Sequence, residues 1–166
     1  MARTHTVIDS PVGGLTVVAE DGSLTGLYFE GHKRGPGPEA LGTRSEESFE
    51  KTRRQLDEYF AGERTEFSLP LAPRGSEFQQ KVWMLLREIP FGETRSYGEL
   101  AMELGGMPLA RAVGAANGRN PLSIIVPCHR VVGSNNDLTG FGGGVERKRF
   151  LLDLERPAVS STATLF

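Results

Sequence analysis

Only one cysteine, Cys128, occurs among the 166 residues of the chain. This scarcity excludes an intramolecular disulfide and disfavours a zinc site built on cysteines, so we expect no bound metal. Long apolar runs are also missing, since no stretch approaches the roughly 18 apolar residues of a membrane span. The first ten residues lack the apolar core of a signal peptide, and we therefore expect a cytoplasmic protein that has no membrane partner.

The chain also lacks a strong net charge, with a formal value of −2 at pH 7. A positive field over the whole chain therefore cannot attract it to nucleic acid. The charges are unevenly distributed, however, because no aspartate or glutamate occurs between Glu103 and Asp137. That window contains Arg111, Arg119, His129 and Arg130. We expect any surface that the window forms to be locally positive.

The N-terminal part of the chain predicts a β-meander. Apolar and β-branched residues are concentrated in three segments, residues 4–8, 15–19 and 24–29. The pair Asp21-Gly22 between the second and third segments is a strong signal for a tight hairpin. Residues 31–42 are rich in glycine and proline, which predicts a loop.

A helix is predicted after this loop. Thr43 and Glu46 fit a capping box at its start, and Gly62 fits its end. The apolar residues that share one face of this helix are Phe49, Leu56, Tyr59 and Phe60.

Two prolines indicate a boundary in the middle of the chain. Residues 67–69 are a further candidate strand, and Pro70 and Pro73 then mark a linker. We place one domain at residues 1–70, the linker at 71–75 and a second domain at 76–157. Residues 158–166 are expected to form a loose tail.

The second half begins with helices. Two further capping boxes are predicted, one formed by Ser76 with Gln79 and one by Ser96 with Glu99. Glycines at 105 and 106 and then Pro108 separate a short helix ending at residue 104 from one at 109–117. Two short helices joined in this way suggest a helix-turn-helix, although the pattern alone is weak evidence for DNA binding. The final helix, residues 145–155, is expected to bury Phe150, Leu151 and Leu154.

Cys128 has two possible interpretations when its neighbours alone are considered. A lone cysteine after an apolar run is commonly a small buried hydrophobe. His129 and Arg130 follow directly, and positive neighbours favour the nucleophilic thiolate. Consecutive side chains of an extended segment point to opposite faces, so either the chain bends near Pro127 or a water bridges thiol and imidazole. Glu155 could orient the imidazole, but its position alone favours a solvated charge at a helix end.

Several blocks of the chain resemble the O6-alkylguanine-DNA alkyltransferase family. The octapeptide Ile125-Val126-Pro127-Cys128-His129-Arg130-Val131-Val132 is similar to the family signature. Further blocks with the family order and spacing are found at residues 92–97, 110–114, 117–121 and 139–144. The resemblance is strong from about residue 78 to 155 and looser from 4 to 69. It implies an α+β protein that has an N-terminal ribonuclease-H-like domain followed by a C-terminal winged helix-turn-helix domain.

The resemblance also implies roles for individual residues. Cys128 corresponds to the nucleophile, with a water joining its thiol to His129 and Glu155 completing the relay. Asn120 corresponds to a residue that holds the active-site turn, and Tyr97 to one that contacts the target phosphate and N3 of the flipped base. The residues expected to line the base pocket are Tyr97, Val131, Phe141 and Gly142. Those expected to contact DNA are Ala110, Arg111, Ala112, Gly114, Ala115 and Arg119, with Arg111 entering the space that the flipped base leaves.

The implied reaction is an irreversible transfer, without a cofactor, of an alkyl group from O6 of guanine, or O4 of thymine, to Cys128. The implied partner is double-stranded DNA bound through its minor groove by a monomeric protein, and cooperative binding is left open. Phe141 departs from the family, where tyrosine is usual, so one hydroxyl donor is lost. Some relatives bind zinc in the N-terminal domain, which the single cysteine here does not support.

Three other functions fit parts of the pattern. A non-catalytic sensor of alkyl lesions would share the fold, but such relatives replace the reactive cysteine. A winged-helix transcriptional regulator would carry Cys128 incidentally. A Cys–His hydrolase is disfavoured because the chain has no recognisable oxyanion loop.

Overall fold

The computed structural model describes residues 2–31, 37–133, 137–138, 141 and 143–156. The predicted tail and residues 32–36 of the predicted 31–42 loop lie outside these residues. The strands are β1 (Arg3–Ile8), β2 (Leu15–Glu20), β3 (Ser23–Phe29), β4 (Thr43–Arg44), β5 (Arg95–Ser96) and β6 (Val131–Val132). The α-helices are α1 (Glu50–Phe60), α2 (Glu77–Arg87), α3 (Tyr97–Leu104), α4 (Ala110–Gly118) and α5 (Val145–Leu154). This mixture of helices and strands confirms the predicted α+β class.

The predicted β-meander is present. Strands β1, β2 and β3 pair antiparallel in sequence, and the sheet has the order β3-β2-β1-β4. Asp21 and Gly22 connect the paired residues Glu20 and Ser23, with φ angles of 51° and 87°. Two consecutive positive φ angles are typical of the tight hairpin turn that the sequence predicted.

The capping box predicted at Thr43 and Glu46 is wrong. Thr43 and Arg44 form β4, which pairs in parallel with the free edge of β1. The helix α1 begins later, at Glu50, after a 3₁₀ turn at Glu47–Phe49. The Glu46 carboxylate accepts hydrogen bonds from Thr6 and Arg53 instead of closing a helix. A sheet edge formed by a distant strand therefore overrides the local helix signal.

The strand predicted at residues 67–69 is also absent. The Gln55 side chain bonds both backbone groups of Ser68, at 2.8 Å to the N–H and 3.2 Å to the carbonyl, and so replaces a strand partner. The predicted linker is fixed at its start, because Leu24 on β3 donates to the Pro70 carbonyl and accepts from Ala72. The segment between the two halves therefore lies along the sheet.

Both capping boxes of the second half are present at α2 and α3. Gly105 and Gly106, with φ angles of 145° and 144°, separate α3 from a 3₁₀ turn at Met107–Leu109 that leads into α4. The second helix of the pair thus begins one residue later than predicted. The Trp83 indole donates to the Ala116 carbonyl at 2.9 Å and joins α2 to α4.

One apolar core extends through both halves of the molecule. Leu27 on β3 donates to the Pro121 carbonyl at 2.7 Å, close to the segment that leads to Cys128. Arg147 on α5 donates to the carbonyls of Val12 and Glu30, which fixes α5 against the N-terminal sheet. Among the described residues, no helix has the length and apolar character needed to cross a membrane.

The helix α5 buries a different set of residues from the one predicted. Leu151 is fully buried and Leu154 partly so, but Phe150 is 39% exposed. Lys148 occupies the interior instead, with no exposed surface. Lys148, Leu151 and Glu155 follow one face of the helix at spacings of three and four residues, so the buried stripe is partly ionic.

Candidate active site

Cys128 lies in a bend rather than in an extended segment. Residues Cys128–Arg130 form a 3₁₀ turn after Pro127, so the chain bends at the cysteine. The bend does not bond the thiol to the imidazole, because His129 Nδ1 has no hydrogen-bond partner among the described residues. The cysteine is 4% exposed. The Asn117 side chain on α4 donates to the Cys128 carbonyl at 3.3 Å, which connects the bend to the second helix of the pair.

The turn that precedes Cys128 is held by Asn120. Its side-chain amide donates to the Val126 carbonyl at 2.8 Å, and its carbonyl accepts from the Leu122 N–H at 3.0 Å. Inside this turn Ile124 has a φ of 73°, which is unfavourable for a β-branched residue. Asn120 is therefore placed to maintain a backbone that the local sequence alone would not adopt.

The charge environment of Cys128 differs from the one that its neighbours suggested. Burial raises the pKa of the thiol, while hydrogen bonding from Asn120 and Ser123 and the charge of Lys148 lower it. Arg130 does not serve the thiolate, because its guanidinium donates to Glu155 and to the Ile89 carbonyl. The cation that favours the thiolate is thus Lys148, which sequence reasoning missed.

Glu155 is buried, so the interpretation of it as a solvated charge is wrong. Its Oε1 accepts from Arg130 Nε at 2.8 Å. Its Oε2 lies 2.7 Å from His129 Nε2 and accepts from Arg130 Nη2 at 2.9 Å. Burial alone would raise the pKa of this carboxyl, but the hydrogen bonds and charges of His129 and Arg130 lower it to about 2. Glu155 therefore remains an anion at neutral pH.

His129 follows Cys128 in the chain and is fully buried, with its ring against Glu155. Burial lowers the pKa of the imidazole although Glu155 acts in the opposite direction, so the ring is neutral near pH 7. The bond to a carboxylate assigns the proton to Nε2, which leaves Nδ1 as an acceptor. Nδ1 is buried and has no hydrogen-bond partner within the described part of the chain. The ring is thus poised to accept a proton.

Lys148 lies among the aromatic side chains near Cys128. Its ammonium is 5.9 Å from the Tyr97 ring centroid and 6.0 Å from that of Phe141. Burial lowers the pKa of Lys148 to about 8, and the charge of Cys128 acts in the opposite direction. Its position on the face of α5 that carries Leu151 and Glu155 is the sequence signal that could have identified it.

Two of the predicted base-pocket residues, Tyr97 and Phe141, have their rings near the Lys148 ammonium. Tyr97 and Phe141 are half-buried, and Val131 is fully buried. The Phe141 ring centroid is 5.6 Å from that of Phe29 on β3, so the N-terminal sheet supports it. Gly142 lies outside the described residues.

The residues that the resemblance assigns to DNA contact lie mostly on the outer surface of α4. Arg111, Ala112, Ala115 and Arg119 are exposed, and Ala110 and Gly114 are half-buried. A Cβ atom at Gly114 would lie 3.9 Å from the Tyr97 ring, so α3 and α4 approach closely there. The locally positive surface is smaller than predicted, because His129 and Arg130 point into the interior.

No group of three or more histidine, cysteine, aspartate or glutamate side chains within the described ranges could hold a metal ion.

Two family sequence patterns match almost the whole chain. The ribonuclease-like domain of 6-O-methylguanine DNA methyltransferases matches residues 4–73, and the DNA-binding domain of the same proteins matches residues 77–157. A methylated-DNA–protein-cysteine methyltransferase from Mycolicibacterium paratuberculosis is 49% identical over 162 residues, which are 98% of each chain. One from Methanosarcina acetivorans is 47% identical over 152 residues, 91% of this chain and 97% of the relative.

Solved structures show the same similarity. The crystal structure of the Mycobacterium tuberculosis O6-methylguanine methyltransferase is 47% identical, with a TM-score of 0.84 over 96% of this chain and 98% of that one. A crystal structure of Mycobacterium tuberculosis OGT in complex with DNA is 50% identical, with a TM-score of 0.87 over 92% of each chain. The similarity therefore includes both halves of the molecule and their arrangement.

Proposed function

Because the chain belongs to the 6-O-methylguanine DNA methyltransferase family, we propose that it repairs DNA by taking an alkyl group from O6 of guanine onto Cys128. The observation that carries this proposal is the buried cysteine beside an ammonium group and a His129–Glu155 pair. A thiol next to a base and a fixed cation has the groups needed for nucleophilic attack.

Each functional side chain of the site has a step in the proposed reaction. A water passes the thiol proton of Cys128 to His129 Nδ1, and Glu155 stabilises the imidazolium that results. The thiolate, favoured by Lys148, attacks the alkyl carbon, so that an S–C bond forms as the C–O6 bond breaks. The electron pair of that bond passes to the guanine, where a hydrogen bond from Tyr97 to N3 offsets the growing negative charge.

The proposed DNA-binding element is α4. Its outer face carries alanine and arginine side chains, and small side chains allow close approach to a groove. A relative of 50% identity has been crystallised with DNA, which supports DNA as the partner. We infer that α4 lies in the minor groove and that guanine flips out to reach Cys128, because its O6 is inaccessible inside the stack.

Finer features of the proposal follow the family resemblance. They are a second activity on O4 of thymine, a monomer in solution, a cytoplasmic location and a single turnover. The last has a chemical reason, since a thioether is a poor leaving group.

The test is incubation with a duplex that contains one O6-methylguanine, followed by mass spectrometry of the intact protein and its peptides. We expect one methyl group per chain, located on Cys128, and no transfer to Cys128→Ser. A lesion sensor or a transcriptional regulator would bind DNA without a mass change, and a hydrolase would not retain the alkyl group. Retention of a methyl group on any other residue would contradict the proposal.

Replacing Arg111 with alanine should separate DNA binding from chemistry. Arg111 is exposed on α4 and is proposed to occupy the space that the flipped guanine leaves. We expect Arg111→Ala to slow repair of methylated duplex by about tenfold, equivalent to about 1.4 kcal/mol, with little effect on the reaction with free O6-benzylguanine. The measurement is the second-order rate constant for each substrate.

Arg54→Ala is the matched control for Arg111→Ala. Arg54 is exposed on α1, so its removal takes away the same charge at a site remote from α4. Equal slowing of both substrates by Arg111→Ala, or equal effects of the two variants on duplex repair, would contradict the role of Arg111.

Alkylation of Cys128 should destabilise the protein and weaken its binding to DNA. The added carbon enters a packed site at the buried sulfur, and overpacking of this kind costs about 1–3 kcal/mol. Asn117 connects the Cys128 carbonyl to α4, so a shift of the bend reaches the DNA-binding helix. We expect a lower melting temperature, faster proteolysis and weaker duplex binding, with a larger change for benzyl than for methyl.

Cys128→Ser exposed to the same reagents controls for effects of the reagents themselves. An unchanged melting temperature of the methylated and benzylated proteins would contradict the destabilisation, whatever the stoichiometry of transfer.

A further inference from the structure

The helix α1 of the N-terminal half reaches the catalytic relay through Tyr59. The Tyr59 hydroxyl donates to Glu155 Oε2 at 2.5 Å, and both residues are buried. The two residues are 96 positions apart in the chain. Sequence reasoning placed Tyr59 only among the apolar residues of α1, so this contact is new information from the fold.

The two oxygens of the Glu155 carboxylate have different numbers of hydrogen-bond partners. Arg130 bonds both oxygens of Glu155, whereas Tyr59 and His129 both meet Oε2. A guanidinium fork fixes the plane of a carboxylate. The Tyr59 hydroxyl adds a restraint on the one oxygen to which the imidazole is bonded, and it therefore acts on the orientation of His129.

The Tyr59 ring is held in place by other aromatic side chains. Its ring is packed against those of Phe60, Phe67 and Phe91, with centroid distances of 5.2, 5.4 and 6.2 Å. Burial, followed by the charge of Glu155, raises the pKa of Tyr59, so the hydroxyl keeps its proton and remains a donor at neutral and mildly alkaline pH. The aromatic cluster thus holds the Tyr59 hydroxyl against Glu155.

We propose that Tyr59 is a positioning residue for alkyl transfer, through which the N-terminal half holds Glu155 and His129 in the geometry that accepts the Cys128 proton. This inference rests on the proposed function. It means that α1 contributes to the reactivity of Cys128 and not only to the stability of the fold. The charged groups that act on His129 are Glu155, Arg130 and Lys148, and Tyr59 bonds the first of them.

The test is the pH dependence of the reaction of Tyr59→Phe with free O6-benzylguanine, a substrate that removes DNA binding from the measurement. The variant keeps the ring and loses only the hydroxyl. We expect a rate near pH 7 that is about two- to tenfold lower, as for the loss of one hydrogen bond. The deficit should shrink at alkaline pH, where the thiolate forms without the relay.

Phe67→Leu is the matched control. Phe67 contacts the Tyr59 ring, and no hydrogen bond to Glu155 involves it among the described residues. We expect this variant to lower the melting temperature at least as much as Tyr59→Phe does, and to leave the shape of the pH–rate profile unchanged.

The outcomes distinguish failure of the proposed function from failure of the role of Tyr59. Absence of alkyl transfer by the wild-type protein would overturn the proposed function itself. Wild-type transfer together with a Tyr59→Phe profile that coincides with the wild-type profile, or that is lowered equally at every pH, would overturn the role of Tyr59 alone.

Discussion

Exchange of His129 for glutamine should slow alkyl transfer near pH 7 by about 100-fold or more, within the range that general acid–base catalysis contributes. The glutamine amide can donate to Glu155 as Nε2 does, so the buried carboxylate keeps a partner. It has no basic nitrogen, however, and cannot take the Cys128 proton. Since burial raises the pKa of that thiol, little thiolate forms at neutral pH without a base.

Raising the pH should partly restore the rate of alkyl transfer by the His129→Gln variant, because hydroxide forms the thiolate directly. The wild-type rate should change less over the same range, because the lowered pKa of His129 keeps the imidazole neutral and able to accept a proton. The measurement is the rate of reaction with free O6-benzylguanine from neutral to alkaline pH. A wild-type rate for the variant at pH 7 would remove His129 from the mechanism.

His5→Gln gives the same chemical change on β1, away from the site. We expect its pH–rate profile to coincide with that of the wild-type protein. A similar loss in both variants would point to a general effect of removing a histidine.

Features of the fold that depend on neighbouring residues could be predicted from the sequence. The capping boxes at Ser76 and Ser96 are closed by residues three positions away, and the hairpin at Asp21 and Gly22 is set by the backbone preferences of two residues. Thr43 shows the limit of this reasoning. Its local pattern is that of a helix cap, but the free edge of β1 provides a partner that no short segment reveals.

The candidate site shows the same division. Cys128, His129 and Asn120 could be identified from the resemblance, and the structure places them in or beside the bend. The environment of Glu155 could not be read from its own segment, because its partners are 25, 26 and 96 residues away. Lys148 and Tyr59 were missed for a related reason. Tyr59 fits the apolar face of α1, and its hydroxyl meets Glu155 only because elements 96 residues apart pack together. The place of Lys148 on the buried face of α5 is a signal, but the aromatic rings around its ammonium come from other elements.

Replacing Glu155 with glutamine should lower the free energy of unfolding by about 3–5 kcal/mol, as expected when one partner of a buried ion pair is removed. Arg130 would remain inside the protein opposite a neutral amide, and the amide NH₂ group would face donors from Tyr59, His129 or Arg130. Because the volume of the side chain hardly changes, the loss measures charge and hydrogen bonding rather than packing. Denaturant unfolding of the two proteins at pH 7 gives the difference.

The same residue makes stability depend on acid pH. The folded carboxyl has a pKa of about 2 against an ordinary value of 4.5, so the unfolded chain binds this proton first as the pH falls. The stabilisation is therefore complete above about pH 4.5 and is lost as the pH falls towards 2. We expect the difference in the free energy of unfolding between the wild-type protein and Glu155→Gln to become smaller as the pH falls from about 4.5 towards 2.

Asp153→Asn is the matched control for Glu155→Gln, because it removes one carboxylate near the same end of α5. Asp153 pairs with Arg156 at 2.8 Å, but the two side chains are 53% and 64% exposed. Exposed pairs of this kind contribute about 0–1 kcal/mol. We therefore expect a change within that range. If Glu155→Gln were no more destabilising than Asp153→Asn, the buried network would not be the main contribution of Glu155, and its role would be confined to orienting His129.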